Sequence, residues 1–400
     1  MWQTIIYTSV LAMFTLVAIM KQSNKMGILL LLNYLAIAFF SILSIESGIT
    51  NSEKITLAPY LFLIAVILIC FKPFLKKDNS FLAEKVIYDI KRKYYYFAVV
   101  YIIFSLIAMK CYLPKALALL SSGNWFENRN ALYSGEQLIP YSNYFEYLAI
   151  QFTGYSQILA LIVGFVILRN KGNRVLGITL IVLPTITEIL NGMITSSRAQ
   201  IIYIVMILFS MYLFFTNDLG KNNKRFFIIT GCLGAYYILQ YIIAVTVSRF
   251  GSSASSNSFV DYLGQPPLVF NYGVFPITKH LWGEYTLGKL WGAEVYQNSI
   301  GGNWGSGLYT FVGWLYIDWG VIGTILLVLL VSFFVSRVIC KKEYNISDLY
   351  FIFFFYHTLI KGAFVIGRSY IYNILGFFVI YLFVKFFVEK YTFKIGKILI

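Results

Sequence analysis

About eleven apolar runs, each close to the roughly 20 residues that a helix needs to cross a bilayer, follow one another along the 400-residue chain. They lie at about 2 to 20, 26 to 45, 55 to 71, 94 to 109, 144 to 168, 175 to 195, 199 to 216, 226 to 247, 308 to 336, 349 to 366 and 371 to 388. No soluble domain hides that much apolar surface. A chain that is 59% hydrophobic and 12% charged, with mean hydropathy +0.73, reads as an all-α polytopic integral membrane protein. Within a bilayer each backbone N–H and C=O must be satisfied inside its own segment, so the runs are expected to be helices of a single transmembrane domain over 1–400.

The formal charge of +15 comes from basic residues spread among short connections, which membrane topology explains and nucleic-acid binding does not. With the N-terminus outside, 22 of the 32 lysines and arginines fall on the inner side, and the bias holds connection by connection. The expected topology is therefore N-terminus out and C-terminus cytoplasmic. Lys21 and Lys25 follow the first run, the reverse of a signal peptide's charge order, so that run is expected to stay as a helix. Cys70, Cys111, Cys232 and Cys340 are isolated and show no metal-ligand spacing, so neither a disulfide nor a zinc site is expected.

The main cytoplasmic loop spans about 73–93 and reads as a surface-lying, partly amphipathic segment. Two connections exceed the length of a turn, about 110–143 and 248–307, and both fall on the outer side, where function is to be sought. No internal repeat of the kind common in secondary transporters is evident.

Ten cations face outward in this topology: Lys54, Lys110, Lys115, Arg129, Arg198, Arg249, Lys279, Lys289, Lys361 and Arg368. Arg198 opens a span in "SSRAQIIY", Arg249 closes one in "AVTVSRFGSS", and Arg368 sits in the short "KGAFVIGRSY" connection. An arginine at a span edge either snorkels to lipid phosphate or has an anionic partner. For three at similar depth, convergence on an anionic ligand is the stronger reading, because the guanidinium fork matches phosphate oxygens two at a time.

Acids within the spans are few. Glu188 in "LPTITEILNGM" and Asp318 in "GWLYIDWGVIG" both lie toward the outer side. Each reads either as an ion-pair partner for an arginine or as a general base for an alcohol. His280 follows Lys279 in the outer loop, whereas His357 lies within a span and reads as a packing residue. No Asp-x-Asp pair or carboxylate cluster occurs outside, so neither metal nor cofactor is expected and arginine would do a metal's work on phosphate. The long outer loop interleaves Tyr and Trp with Asn and Gly, which suits stacking on sugar rings and equally suits an interfacial aromatic belt.

"VDYLGQPPLVFNYGVFP" followed by "NWGSGLYTFVGWLYIDWGVIGTILLVLLVSFF" is similar to the late outer loop and succeeding helix of the Wzy-type oligosaccharide repeat-unit (O-antigen) polymerases. Thr310, Tyr316, Asp318, Gly320 and Gly323 carry the helix pattern, while "SSRAQIIY" and "VSRFG" resemble the arginine that opens a middle helix and the one that begins the large periplasmic loop. The resemblance is clearest from about residue 190 to 335.

It implies a GT-C-like membrane fold in the bacterial inner membrane with a large periplasmic loop. The implied enzyme is a glycosyltransferase that joins undecaprenyl-pyrophosphate-linked oligosaccharide repeat units in lipopolysaccharide or other surface-polysaccharide biosynthesis. Membrane lipid and a chain-length regulator are the further partners that the resemblance allows for. Arg198, Arg249, Arg368, Lys279, Tyr262 and Tyr316 form the expected substrate-binding set, and Asp318, Glu188 and His280, in that order, the candidate bases. The alternatives are an O-antigen ligase with the same donor chemistry, a flippase or exporter of lipid-linked sugars, and a non-catalytic assembly scaffold.

Overall fold

The computed structural model of the chain describes residues 1–47, 52–76, 85–87, 91–133, 141–170, 172–250, 256–277, 280–286, 309–364, 370–389, 394–395 and 398–399. Each of the eleven apolar runs contains a helix. Among the described residues nine helices are long and apolar enough to cross a membrane. Two of the eleven runs are represented by shorter helices among the described residues, Leu57–Phe71 with 15 residues and Ile346–Lys361 with 16. Near the C-terminus a pair of two-residue antiparallel strands forms, Lys394–Ile395 with Ile398–Leu399.

The chain divides into two compact units. The first comprises residues 1–82, 255–341 and 355–374, and contains α1 (Trp2–Met20), α2 (Lys25–Glu46), α3 (Leu57–Phe71), α10 (Ser256–Val269) and α11 (Phe311–Ile339). Polar side chains inside these apolar helices cross-link them, as they must where no water is available to satisfy them. Thr4 of α1 meets the Tyr60 hydroxyl of α3 at 3.0 Å, and Tyr7 stacks on Tyr60 with ring centroids 4.7 Å apart. Ser332 of α11 donates to the Ile69 carbonyl of α3 at 2.8 Å.

The helix α10 falls inside the segment 248–307 that the sequence presents as a loop, and it lies against α2 backbone to backbone. A Cβ at Gly264 would stand 2.5 Å from the Phe40 carbonyl oxygen, and Ser41 donates to the Gly264 carbonyl at 2.7 Å. The α10 helix continues into a π turn, Phe270–Val274, whose Asn271 pairs with the Thr56 backbone in both directions, accepting at 3.0 Å and donating at 2.7 Å.

The second unit comprises residues 83–254, 342–354 and 375–400, and contains α4 (Arg92–Ser122), α5 (Trp125–Tyr133), α6 (Tyr144–Arg169), α7 (Arg174–Ile194), α8 (Arg198–Phe215) and α9 (Lys221–Phe250). Two helices, α12 (Ile346–Lys361) and α13 (Tyr370–Phe383), run through both units. Residues 110–122, read from the sequence as the start of a connection, complete the 31-residue α4. Lys110 is held there by an ion pair with Glu146 of α6 at 3.0 Å.

The most enclosed helix of the second unit is α6, and α7 lies close along it because two glycines face each other. A Cβ at Gly164 would stand 2.9 Å from the Gly177 carbonyl oxygen. Such close approach of small residues is how helices gain packing contact in lipid, where the hydrophobic effect offers no preference. Gln157 of α6 donates to the Pro184 carbonyl of α7 at 3.1 Å, within the turn where the proline removes a backbone donor. The helices α6 to α9 run alternately up and down, which brings the 195–197 turn to one end and the 170–173 and 216–220 connections to the other.

Candidate functional site

Arg198 is the first residue of α8 and is 3% exposed. Asn128 and Arg129 of α5 hold the turn before it, Thr195 to Ser197, in place. The Asn128 amide donates to the Ile194 carbonyl at 2.7 Å and to Ser196 Oγ at 2.9 Å, and Arg129 Nη1 donates to the Thr195 carbonyl at 2.9 Å. These bonds satisfy carbonyls that the end of α7 leaves without intrahelical donors. Ser196 adopts φ 49°, an uncommon conformation for a residue with a side chain, and the neighbouring Ser197 caps α8 by accepting from the Gln200 N–H at 3.4 Å.

From this turn the Arg198 guanidinium reaches α9, donating through Nη1 to Thr246 Oγ1 at 2.7 Å. Two residues on, Gln200 donates to Glu188 Oε1 of α7 at 2.9 Å. Trp125, Ile194, Ile201 and Val245 belong to one buried apolar cluster around the turn, and Trp125 meets the Tyr241 ring edge-on at 5.3 Å. The result is an arginine anchored at a helix start, a second arginine anchored at the same turn, and a carboxylate tied to that helix through one amide. Helix-start N–H groups and arginine forks both favour phosphate-like anions.

Arg249 lies three residues beyond Thr246 in α9, and its side chain is outside the described residues, as are Lys279 and Arg368 entirely. The other four expected residues belong to the first unit. Asp318 is fully buried and organises the 281–286 segment: Oδ1 accepts from the Tyr285 N–H at 3.0 Å, and Oδ2 accepts from the Thr286 N–H at 2.7 Å and from the Thr286 hydroxyl. The backbone carbonyls of Ile317 and Asp318 accept from Leu281 and Trp282 at 3.1 and 3.0 Å, so the 281–286 turn is clamped onto α11.

Two residues later α11 breaks at Gly320, φ 62° and ψ −164°, a conformation open essentially to glycine alone. The His280 ring fills the space a Cβ would take there, with Nε2 2.6 Å from that point, and meets the Tyr316 ring edge-on at 5.3 Å. The Tyr316 hydroxyl donates to the Phe275 carbonyl at 2.9 Å, and its ring stacks on Phe275 at 5.2 Å. Tyr262 is half-buried in α10 beside Phe364.

Arg198 and Glu188 are legible in the sequence as site candidates, whereas Asn128, Gln200 and Thr246, which hold them, are not. Arg129 stood among the outward cations without a role, since its partner carbonyl is 66 residues away in sequence. No protein family, curated protein or solved structure compared with this chain matches it.

Proposed function

We propose that this membrane protein is a glycosyltransferase that polymerises undecaprenyl-pyrophosphate-linked oligosaccharide repeat units at the outer face of the bacterial plasma membrane. The observation that carries the reading is Arg198, buried at the start of α8 beside a second anchored arginine, Arg129. It occurs in the stretch that resembles the polymerase family's middle-helix arginine. A guanidinium fixed at a helix start presents a planar fork of donors that matches phosphate oxygens two at a time.

In the proposed reaction an acceptor sugar hydroxyl attacks the anomeric carbon of the donor glycan, the bond from that carbon to pyrophosphate breaks, and undecaprenyl pyrophosphate leaves. Negative charge grows on the pyrophosphate as the bond breaks, so guanidinium groups at Arg198 and Arg129 lower the transition state more than the ground state. Direct displacement inverts the anomeric configuration.

The acceptor's proton goes to a carboxylate. Both oxygens of Asp318 already accept hydrogen bonds from Tyr285 and Thr286, whereas Glu188 accepts from Gln200 on the helix that Arg198 opens. This favours Glu188 over Asp318 as the base and leaves Asp318 to shape the loop, with His280 supporting the Gly320 break.

The test is polymerisation by the reconstituted protein on its own lipid-linked repeat unit. Arg198→Lys is expected to lose about 100-fold in kcat/KM, since lysine keeps the charge and loses the fork. Near-wild-type activity of that variant would make Arg198 a lipid anchor, and a retained anomeric configuration would overturn direct displacement.

A further inference from the structure

At the other end of the second unit, away from the Arg198 turn, residues at the ends of α6 and α8 and near the starts of α7 and α9 line an open cavity of about 480 Å³. Its charged lining is Arg169, Arg174, Lys221 and Asp218, an excess of two positive charges, and the amides of Asn222 and Asn223 complete the polar wall. Arg169 forms the floor: its side chain is 1% exposed and paired through Nε with Asp218 Oδ2 at 2.8 Å. That ion pair ties the end of α6 to the turn after α8 and neutralises the floor, so the uncompensated charge belongs to Arg174 and Lys221, both exposed.

Gly220 lines the cavity at the start of α9, where an added Cβ would meet nothing within 4 Å, and this leaves the wall open to a ligand. Apolar surface adjoins these cations, with Val175 75% exposed beside Arg174 and Ile228 and Ile229 55% and 60% exposed further along α9.

We infer that this cavity binds a phosphate group supplied by the headgroup of an anionic lipid. The volume lies within the range of small-molecule sites, roughly 300–1,000 Å³. Arginine and lysine with amide donors are the groups that recognise phosphate oxygens. Helix ends of a membrane bundle are where headgroups lie, and the exposed apolar residues alongside suit the acyl chains and not a soluble anion. The inference stands independently of the proposed glycosyl transfer.

The test is native mass spectrometry of the full chain in a neutral detergent, supplied with phosphatidylglycerol or phosphatidylcholine at equal concentration. Wild type is expected to retain phosphatidylglycerol preferentially. Arg174→Gln combined with Lys221→Gln is expected to weaken that retention roughly 30-fold, about fivefold per cation. Both residues are exposed, so the melting temperature should be unchanged, and Lys25→Gln, an exposed cation in the first unit, should leave retention as in wild type. Equal retention by the double variant, equal retention of both lipids, or an equal loss with Lys25→Gln would overturn the inference. Displacement of bound lipid by inorganic phosphate alone at millimolar concentration would overturn the lipid as the source of the phosphate.

Discussion

Replacing Gly320 with alanine separates a broken α11 from a continuous one by the sign of the stability change. If residue 320 were in an ordinary helical conformation, Gly320→Ala would stabilise the protein by about 1 kcal/mol, the propensity gain of alanine over glycine. At φ 62° and ψ −164° the same methyl group instead carries about 1–3 kcal/mol of backbone strain. It also enters the His280 ring, whose Nε2, Cδ2 and Cε1 lie 2.6, 2.9 and 3.1 Å from the new Cβ, and such overpacking adds about 1–3 kcal/mol. The expected net destabilisation is about 2–6 kcal/mol. Equilibrium unfolding by SDS titration in bicelles, followed by tryptophan emission, reads this directly. In a His280→Ala background the steric share disappears and only the strain, about 1–3 kcal/mol, should remain. A Gly320→Ala protein as stable as wild type, or more so, would refute the break and the role given to His280.

Other perturbations address the remaining contacts. Asp218→Ala strips the carboxylate from Arg169, whose side chain is 1% exposed, and should cost about 3–5 kcal/mol in the same titration, with much of the loss recovered when Arg169 is also made leucine. Gly164→Val drives a side chain toward the Gly177 carbonyl, 2.9 Å from its Cβ, and should destabilise the α6–α7 pair by about 1–3 kcal/mol by the same measure. In the reconstituted polymerisation assay, Glu188→Gln should lower kcat by about 100-fold or more with little change in KM, while Asp318→Asn should act chiefly on stability. The reverse pattern would return the base to Asp318.

The helices were legible because a long apolar run has one physical solution in lipid, and among the described residues each such run contains a helix. Helix ends were less so. The apolar run ends before Lys110 in the sequence, yet α4 continues to Ser122, and Lys110 finds its carboxylate partner Glu146 36 residues away. Nor could local pattern reveal that α10, with two prolines, is a helix, since its packing rests on Gly264 meeting the α2 backbone.

At the candidate site the contrast is sharper. Arg198 stands out in sequence as a charge opening an apolar run, a local signal. Arg129 does not, because it sits in a polar stretch and its carbonyl partner at Thr195 is remote. Asp318 drew attention for the same local reason as Arg198, but the donors that occupy it come from residues 285 and 286, and this gives it an anchoring role that its own neighbourhood in sequence does not disclose.

The central claim is that Arg198 and its anchored turn serve polymerisation of lipid-linked glycan. The surface-polysaccharide gel of the native host tests it most directly, after deletion of the gene and after restoration with wild type or with Arg198→Ala. On deletion the ladder is expected to collapse to a single repeat unit on its acceptor, to be restored by wild type, and not to be restored by Arg198→Ala. A ladder unchanged by the deletion would contradict polymerase activity, complete loss of surface glycan would point to a ligase or a flippase, and full rescue by Arg198→Ala would remove Arg198 from the site.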